Sequence, residues 1–153
     1  MICQLKKETF TMIELLAVIA IIGLVATLAV VGLQNVRQNA RDSKRVSDMR
    51  QLQTALEVFF IENGRYPTEE EWNSGSISSP SSGSPLMYSI PSSPSPADGD
   101  CSEASNTYIY APRDNGSSYT IDFCTGKQVS DLSAGSKTLT PGGIINNEQE
   151  QEN

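Results

Sequence analysis

Chemistry needs side chains that take, hold or give protons and electrons, and this chain is poor in them. It has no histidine, which removes the commonest general base and the commonest metal ligand together. Its three cysteines, Cys3, Cys101 and Cys124, show no CxxC or zinc-type spacing, so a metal or thioredoxin-like reading is poor. If the C-terminal half lies outside the cytoplasm, a Cys101–Cys124 disulfide is the expectation. Closing that loop contributes on the order of 3 kcal/mol, useful to a small, core-poor head. No GxSxG, phosphate loop or paired metal motif occurs. The chain reads as a substrate of enzymes, not as an enzyme.

One carboxylate stands out by position. Glu14 is the charged residue at the edge of the uncharged run 15–36, LLAVIAIIGLVATLAVVGLQNV. Thr11-x-x-Glu14 has the spacing of a capping box, and the helix dipole favours an acid there. Were Glu14 to be buried among apolar helices, it would cost several kcal/mol until it met a cation. Helices would then slide until carboxylate and cation pair.

The element that positions Glu14 is the apolar run itself. Nearly all strongly apolar sequence lies between Leu15 and Leu33, about 19 residues, close to the ~20 a helix needs to cross a bilayer. A secretory signal peptide starting at Lys6 and Lys7 is the rival. The run is too long for an h-region of roughly 7–15 residues, and no clear A-x-A site follows. Orientation is not settled by composition: Arg37, Arg41, Lys44 and Arg45 follow the span, and the positive-inside rule alone would put that side in the cytoplasm.

Charge is as uneven as hydropathy. The formal net charge is −7. From Tyr66 onward three basic residues (Arg113, Lys127, Lys137) face twelve acidic ones, a net of −9. Such a head repels nucleic acid, so no nucleic-acid partner is expected.

The string KKETFTMIELLAVIAIIGLVATLAV resembles the N-terminal signature of type IV prepilins and type II secretion pseudopilins, Phe10-Thr11-Met12-Ile13-Glu14 matching it nearly residue for residue. QLQTALEVFFIENGRYP resembles the stem end of major pseudopilins. The resemblance implies a precursor cleaved between Thr9 and Phe10 by prepilin peptidase, with the new Phe10 amine methylated. Thr9 stands where the family nearly always has glycine. It implies single-pass insertion in the inner membrane, with the head outside the cytoplasm and membrane lipid around the helix before assembly. It then implies transfer, through an inner-membrane assembly platform, into a periplasmic or extracellular filament of like copies and related pilins, where Glu14 pairs with a neighbour's Phe10 amine. The alternative is a membrane-anchored extracytoplasmic binding module that does not polymerise, favoured if Thr9–Phe10 stays uncut. Some major pseudopilins hold calcium in a C-terminal loop, and Asp98, Asp100, Glu103, Asp122 and Asp131 are oxygen donors here. They lack a recognisable ligand spacing, so no cofactor and no metal ligand are assigned.

Beyond the span, Val46, Met49, Leu52, Leu56 and Phe59 recur at helical steps, widened by Phe60. The basic cluster Arg37 to Arg50, with Asp48 among it, lies mainly elsewhere around the helix; it reads as a solvated face, the alternatives being contact with anionic lipid head groups before assembly or with acidic heads afterwards. Asn63-Gly64 stops the helix and Pro67 prevents continuation; a helix from Phe10 to Glu62 would be roughly 80 Å long. Residues 107–111 and 118–124 alternate as a hairpin across PRDNGS, with Val129 or Leu139 in a third strand. The fold expected is α+β, a long N-terminal helix packed against a small antiparallel sheet. Its parts are a leader at 1–9, the membrane or filament-core helix at 10–36, the amphipathic stem at 37–64, a Ser/Pro-rich loop at 65–106, the sheet at 107–145 and a disordered tail at 146–153.

Overall fold

The computed structural model describes residues 10–147. The leader at 1–9, with Cys3 and Thr9, and the part of the tail beyond Asn147 lie outside the described residues. The chain divides into two compact units, one reaching Arg37 and one beginning at Gln38.

Helix α1 runs from Met12 to Asn63. Its end is written in the sequence: Gly64 adopts φ +70° and donates its N–H to Phe60 O at 2.8 Å, the left-handed stop that a Cβ would resist. In the second unit one stripe of α1 (Val46, Met49, Leu52, Ala55, Leu56, Phe59) is buried. Fully burying each Leu, Val or Phe is worth about 1.5–3 kcal/mol, so this stripe needs a cover.

A four-stranded antiparallel sheet supplies it. Its strands are β3 (Ile109–Arg113), β4 (Ser118–Thr125), β5 (Gly135–Thr140) and β6 (Gly143–Asn146), in that spatial order. β4 alternates so that Tyr119, Ile121 and Phe123 face inward, and Ile121 pairs with Leu139 of β5. Strand alternation thus puts the apolar side chains of β4 on the face that meets α1. The sequence reading stopped at a possible third strand. The structure adds β6, which the Pro-Gly-Gly turn at 141–143 folds back on β5, and Asn146 is its last residue rather than the start of a tail.

The segment read as an irregular loop, 65–106, also carries order. It holds α2 (Glu69–Asn73) and a small sheet of β1 (Ile77–Ser78) and β2 (Pro85–Met87). Trp72 of α2 stacks on Tyr110, centroids 4.4 Å apart. That contact explains why five residues hold a helix too short to be stable alone. Thr68 and Glu71 form a complete capping box. Arg65 clasps the Glu71 carboxylate through two N–H groups at 2.7 and 2.8 Å. That guanidinium, aided by the Thr68 N–H and opposed by partial burial, holds Glu71 at a pKa of about 2 against an ordinary 4.5.

A folded pKa depressed in this way adds stability that is complete above the unfolded value and fades as pH falls through the folded one. The gap in thermal midpoint between wild type and Glu71→Gln should therefore be open at neutral pH. It should close as pH drops from 4.5 to about 2, which differential scanning calorimetry across that range would read.

Candidate assembly helix and the buried clamp

In the first unit, every described side chain from Phe10 to Val36 is exposed; Met12 is 86% and Ile13 79% accessible. Such a continuous apolar surface has no place in water. The helix is long and apolar enough to cross a membrane. Polar atoms along it are handled locally: Thr27 donates its hydroxyl to Leu24 O at 2.8 Å, which lets a threonine sit in an apolar segment.

At its start only half of the expected capping box forms. Thr11 Oγ1 accepts the Glu14 N–H at 3.3 Å, which ties the first turn. The Glu14 carboxylate makes no hydrogen bond or ion pair among the described residues. Capping is therefore carried by Thr11, and the acid is left facing outward one turn from Phe10, 73% exposed.

The second unit contains the polar feature that sequence reading missed. Asp42 and Arg45 of α1 are both wholly buried. Arg45 Nη1 donates to Asp42 Oδ1 at 2.7 Å and Asp98 Oδ2 at 3.1 Å. Its Nη2 reaches Pro94 O, Pro96 O and Asn106 Oδ1 at 2.8, 3.2 and 2.9 Å, and Nε reaches Ser93 Oγ at 3.3 Å. Asp42 in turn accepts the backbone N–H of Gly126 at 3.0 Å and of Lys127 at 3.1 Å. Arg41 closes the cluster with two bonds to Asp98, its Nε at 2.7 Å. The Arg41 contact holds the Asp98 carboxyl below its usual range against the opposing effect of burial.

Two arginines and two aspartates balance, and each buried oxygen and N–H has a target. Such a cluster is tolerable inside a protein only under those conditions. It fastens three remote stretches to one turn of α1: the Ser93–Asp98 loop, Asn106, and the turn after β4. The Cys101–Cys124 disulfide, Cα atoms 5.9 Å apart, ties the same loop to β4 beside it. At Gly126 a Cβ would run into the Asp98 backbone, so glycine is required for the approach.

The reading of Arg41, Arg45 and Asp48 as part of a solvated face is corrected here. Arg45 and Asp48 are buried and Arg41 is half-buried; Tyr108 donates its hydroxyl to Asp48 at 3.0 Å. The signal was present in the spacing. Asp42 and Arg45 fall three and four residues apart along the same stripe as Val46, Met49 and Leu52, so the core face runs on into charged residues. Of the five donors considered for calcium, Asp98 is taken by the arginines, Asp122 accepts Thr138 Oγ1 at 2.6 Å and Glu103 accepts the Ala97 N–H at 3.2 Å. Among the described residues no group of three or more His, Cys, Asp or Glu lies together as metal ligands would.

Comparison with known proteins bears on about half of the chain. It is 37% identical over 76 residues to the type II secretion system core protein G of Klebsiella pneumoniae, covering 50% of this chain and 54% of that one. The core protein G of Aeromonas hydrophila is 38% identical over 66 residues, 43% of this chain and 46% of its own. The type IV major pilin protein PilA of Myxococcus xanthus is 34% identical over 61 residues, 40% of this chain and 28% of its own. Over about half of its length this chain is similar to type II secretion core protein G sequences and, more weakly, to a type IV major pilin. It spans about half the length of the curated pseudopilins it matches. No family model and no solved structure matches it. The names of these relatives are those of a secretion-system core protein and a major pilin, and the fold described above is α+β.

Replacing Arg45 by Met keeps the volume but leaves Asp42 and Asp98 short of their cation. The loss should be roughly 3–5 kcal/mol, seen as a lowered thermal midpoint of the detergent-solubilised full chain. Arg45→Lys should rescue little, because an ammonium lacks the planar fork that reaches six acceptors. Gly126→Ala should lower the midpoint as well, by forcing the turn away from Asp98. A Gly126→Ala midpoint equal to wild type would mean that the close approach is not needed.

Proposed function

We propose that this chain is a structural subunit of a type II secretion pseudopilus or a type IV pilus-like filament, made as a membrane-inserted precursor. The observation that carries this reading is the exposed apolar helix from Phe10 to Val36, with its unpartnered Glu14 one turn inside the start. Likeness to the core protein G sequences over about half of the chain supports it.

In a bilayer the helix buries its apolar surface in lipid, with its backbone bonds satisfied internally. On this reading prepilin peptidase cuts between Thr9 and Phe10, the Phe10 amine is methylated, and the assembly platform of the inner membrane passes the subunit into a filament with other copies and related pilins. The apolar helices then cover one another in place of lipid. Glu14 would be costly to bury alone, so it selects the register in which it meets the Phe10 amine of a neighbour. The head stays outside the cytoplasm, the compartment in which a Cys101–Cys124 disulfide persists. No catalytic step and no cofactor is assigned to the chain.

Intact mass and N-terminal sequencing of the protein from native membranes test the processing step. A chain beginning at methylated Phe10 is expected. A chain retaining Thr9 would remove the amine that Glu14 needs and would favour a membrane-anchored module that does not polymerise. Glu14→Ala should insert in the membrane as wild type does, yet be depleted from sheared filaments. Equal incorporation of that variant would overturn the role given to Glu14.

A further inference from the structure

Asn-Gly occurs twice in this chain, at 63–64 and 115–116, and the pair has a chemistry of its own. A backbone nitrogen can attack the side-chain carbonyl of an asparagine just before it, and glycine, with no Cβ, leaves that approach open. What separates the two sites is whether the side-chain amide is free to turn. Asn63 is held at the end of α1. Its Nδ2 donates to Phe59 O at 2.8 Å and to Ser79 Oγ at 3.2 Å, and its Oδ1 accepts the Ser81 hydroxyl at 2.7 Å. Asn115 is exposed in the turn between β3 and β4, and its side chain makes no hydrogen bond among the described residues. The backbone there is weakly held as well. Asp114, Asn115 and Gly116 take positive φ in succession, at 50°, 54° and 86°, a left-handed run that residues with a Cβ adopt at a cost.

We infer that Asn115 is a site of spontaneous covalent modification, at which the side-chain amide is lost through a cyclic imide formed with the Gly116 nitrogen. That nitrogen gives up its proton and bonds to Asn115 Cγ; the Cγ–Nδ2 bond breaks and ammonia leaves. Water, the co-reactant, then opens the imide. Opening at Cγ restores the original backbone with an aspartate in place of the asparagine. Opening at the main-chain carbonyl runs the chain through Cβ instead and leaves isoaspartate, a turn longer by one carbon. Either product adds a negative charge to a head that is already acidic. The longer turn also bears on the fold, because Gly116 O accepts the Tyr66 N–H at 2.8 Å and Tyr66 packs on Phe60 and Tyr119 at 4.8 and 4.7 Å. Lengthening the chain just before Gly116 pulls that carbonyl out of line. The reaction needs only the folded head and water, whether or not the chain enters a filament.

The test incubates the detergent-solubilised full chain in mildly alkaline buffer and follows each Asn-Gly peptide by mass spectrometry. Asn115 should convert at least about tenfold faster than Asn63, whose helical turn must open first. In denaturant the two should convert at similar rates, since glycine follows both. Asn115→Gln, whose longer side chain closes a less favoured ring, should keep the thermal midpoint and stop conversion at that peptide. The aged wild type should melt below Asn115→Asp, which carries the same added charge on a backbone of normal length. Asn115 converting no faster than Asn63 in the folded chain, or staying intact for as long as the unfolded chain takes to convert, would overturn the inference. An aged chain that melts together with Asn115→Asp would overturn the lengthened turn.

Discussion

A guanidinium taken out of water must have its N–H groups met by acceptors, and much of the second unit is arranged around meeting that demand for Arg45. Its acceptors come from α1 itself, from the loop at Ser93–Asp98 and from Asn106. Asp42, held in place by the same guanidinium, reaches across to the backbone after β4. The loop has no regular structure between Pro91 and Pro96. Its conformation is set by carbonyls that must point at one side chain, and the neighbouring disulfide limits how far it can stray. Directional bonds specify a loop in a way that apolar burial, which is indifferent to orientation, does not.

The apolar core and the polar clamp divide the labour along one helix. From Val46 to Phe59 the buried stripe of α1 meets Tyr119, Ile121, Phe123 and Leu139. One turn below, the same stripe becomes Asp42 and Arg45. Aromatic side chains close the far end, where Tyr66 lies edge-on to Tyr119 at 4.7 Å and Trp72 lies flat on Tyr110. The short α2 depends on those ring contacts and on its capping box rather than on its own propensity.

The N-terminal part of α1 obeys another rule. Its backbone is satisfied within the helix, and its side chains make no core. That is the condition for moving between lipid and a bundle of like helices, since both offer apolar surroundings and neither demands a particular side-chain partner. Glu14 is the exception, a charge at the start of that apolar surface. Thr11 performs the capping, so the carboxylate remains available outside the helix.

Much of this was legible in the residues alone. Length and the absence of charge mark the apolar helix, because bilayer thickness and the helical rise leave little choice. Gly64 and Pro67 mark its end, since one tolerates a positive φ and the other cannot extend a helix. The alternation of β4 and the turn-rich PRDNGS before it mark the hairpin. Tertiary structure decided what local pattern cannot encode. Arg41, Arg45 and Asp48 read as solvated because charge usually is, and only the arrival of Asp98, Asn106 and Tyr108 from some fifty to sixty residues away makes their burial affordable. β6 and the order within 65–106 escaped for the same reason: short segments of weak propensity become strands and a helical turn only when a neighbour already in place offers them partners.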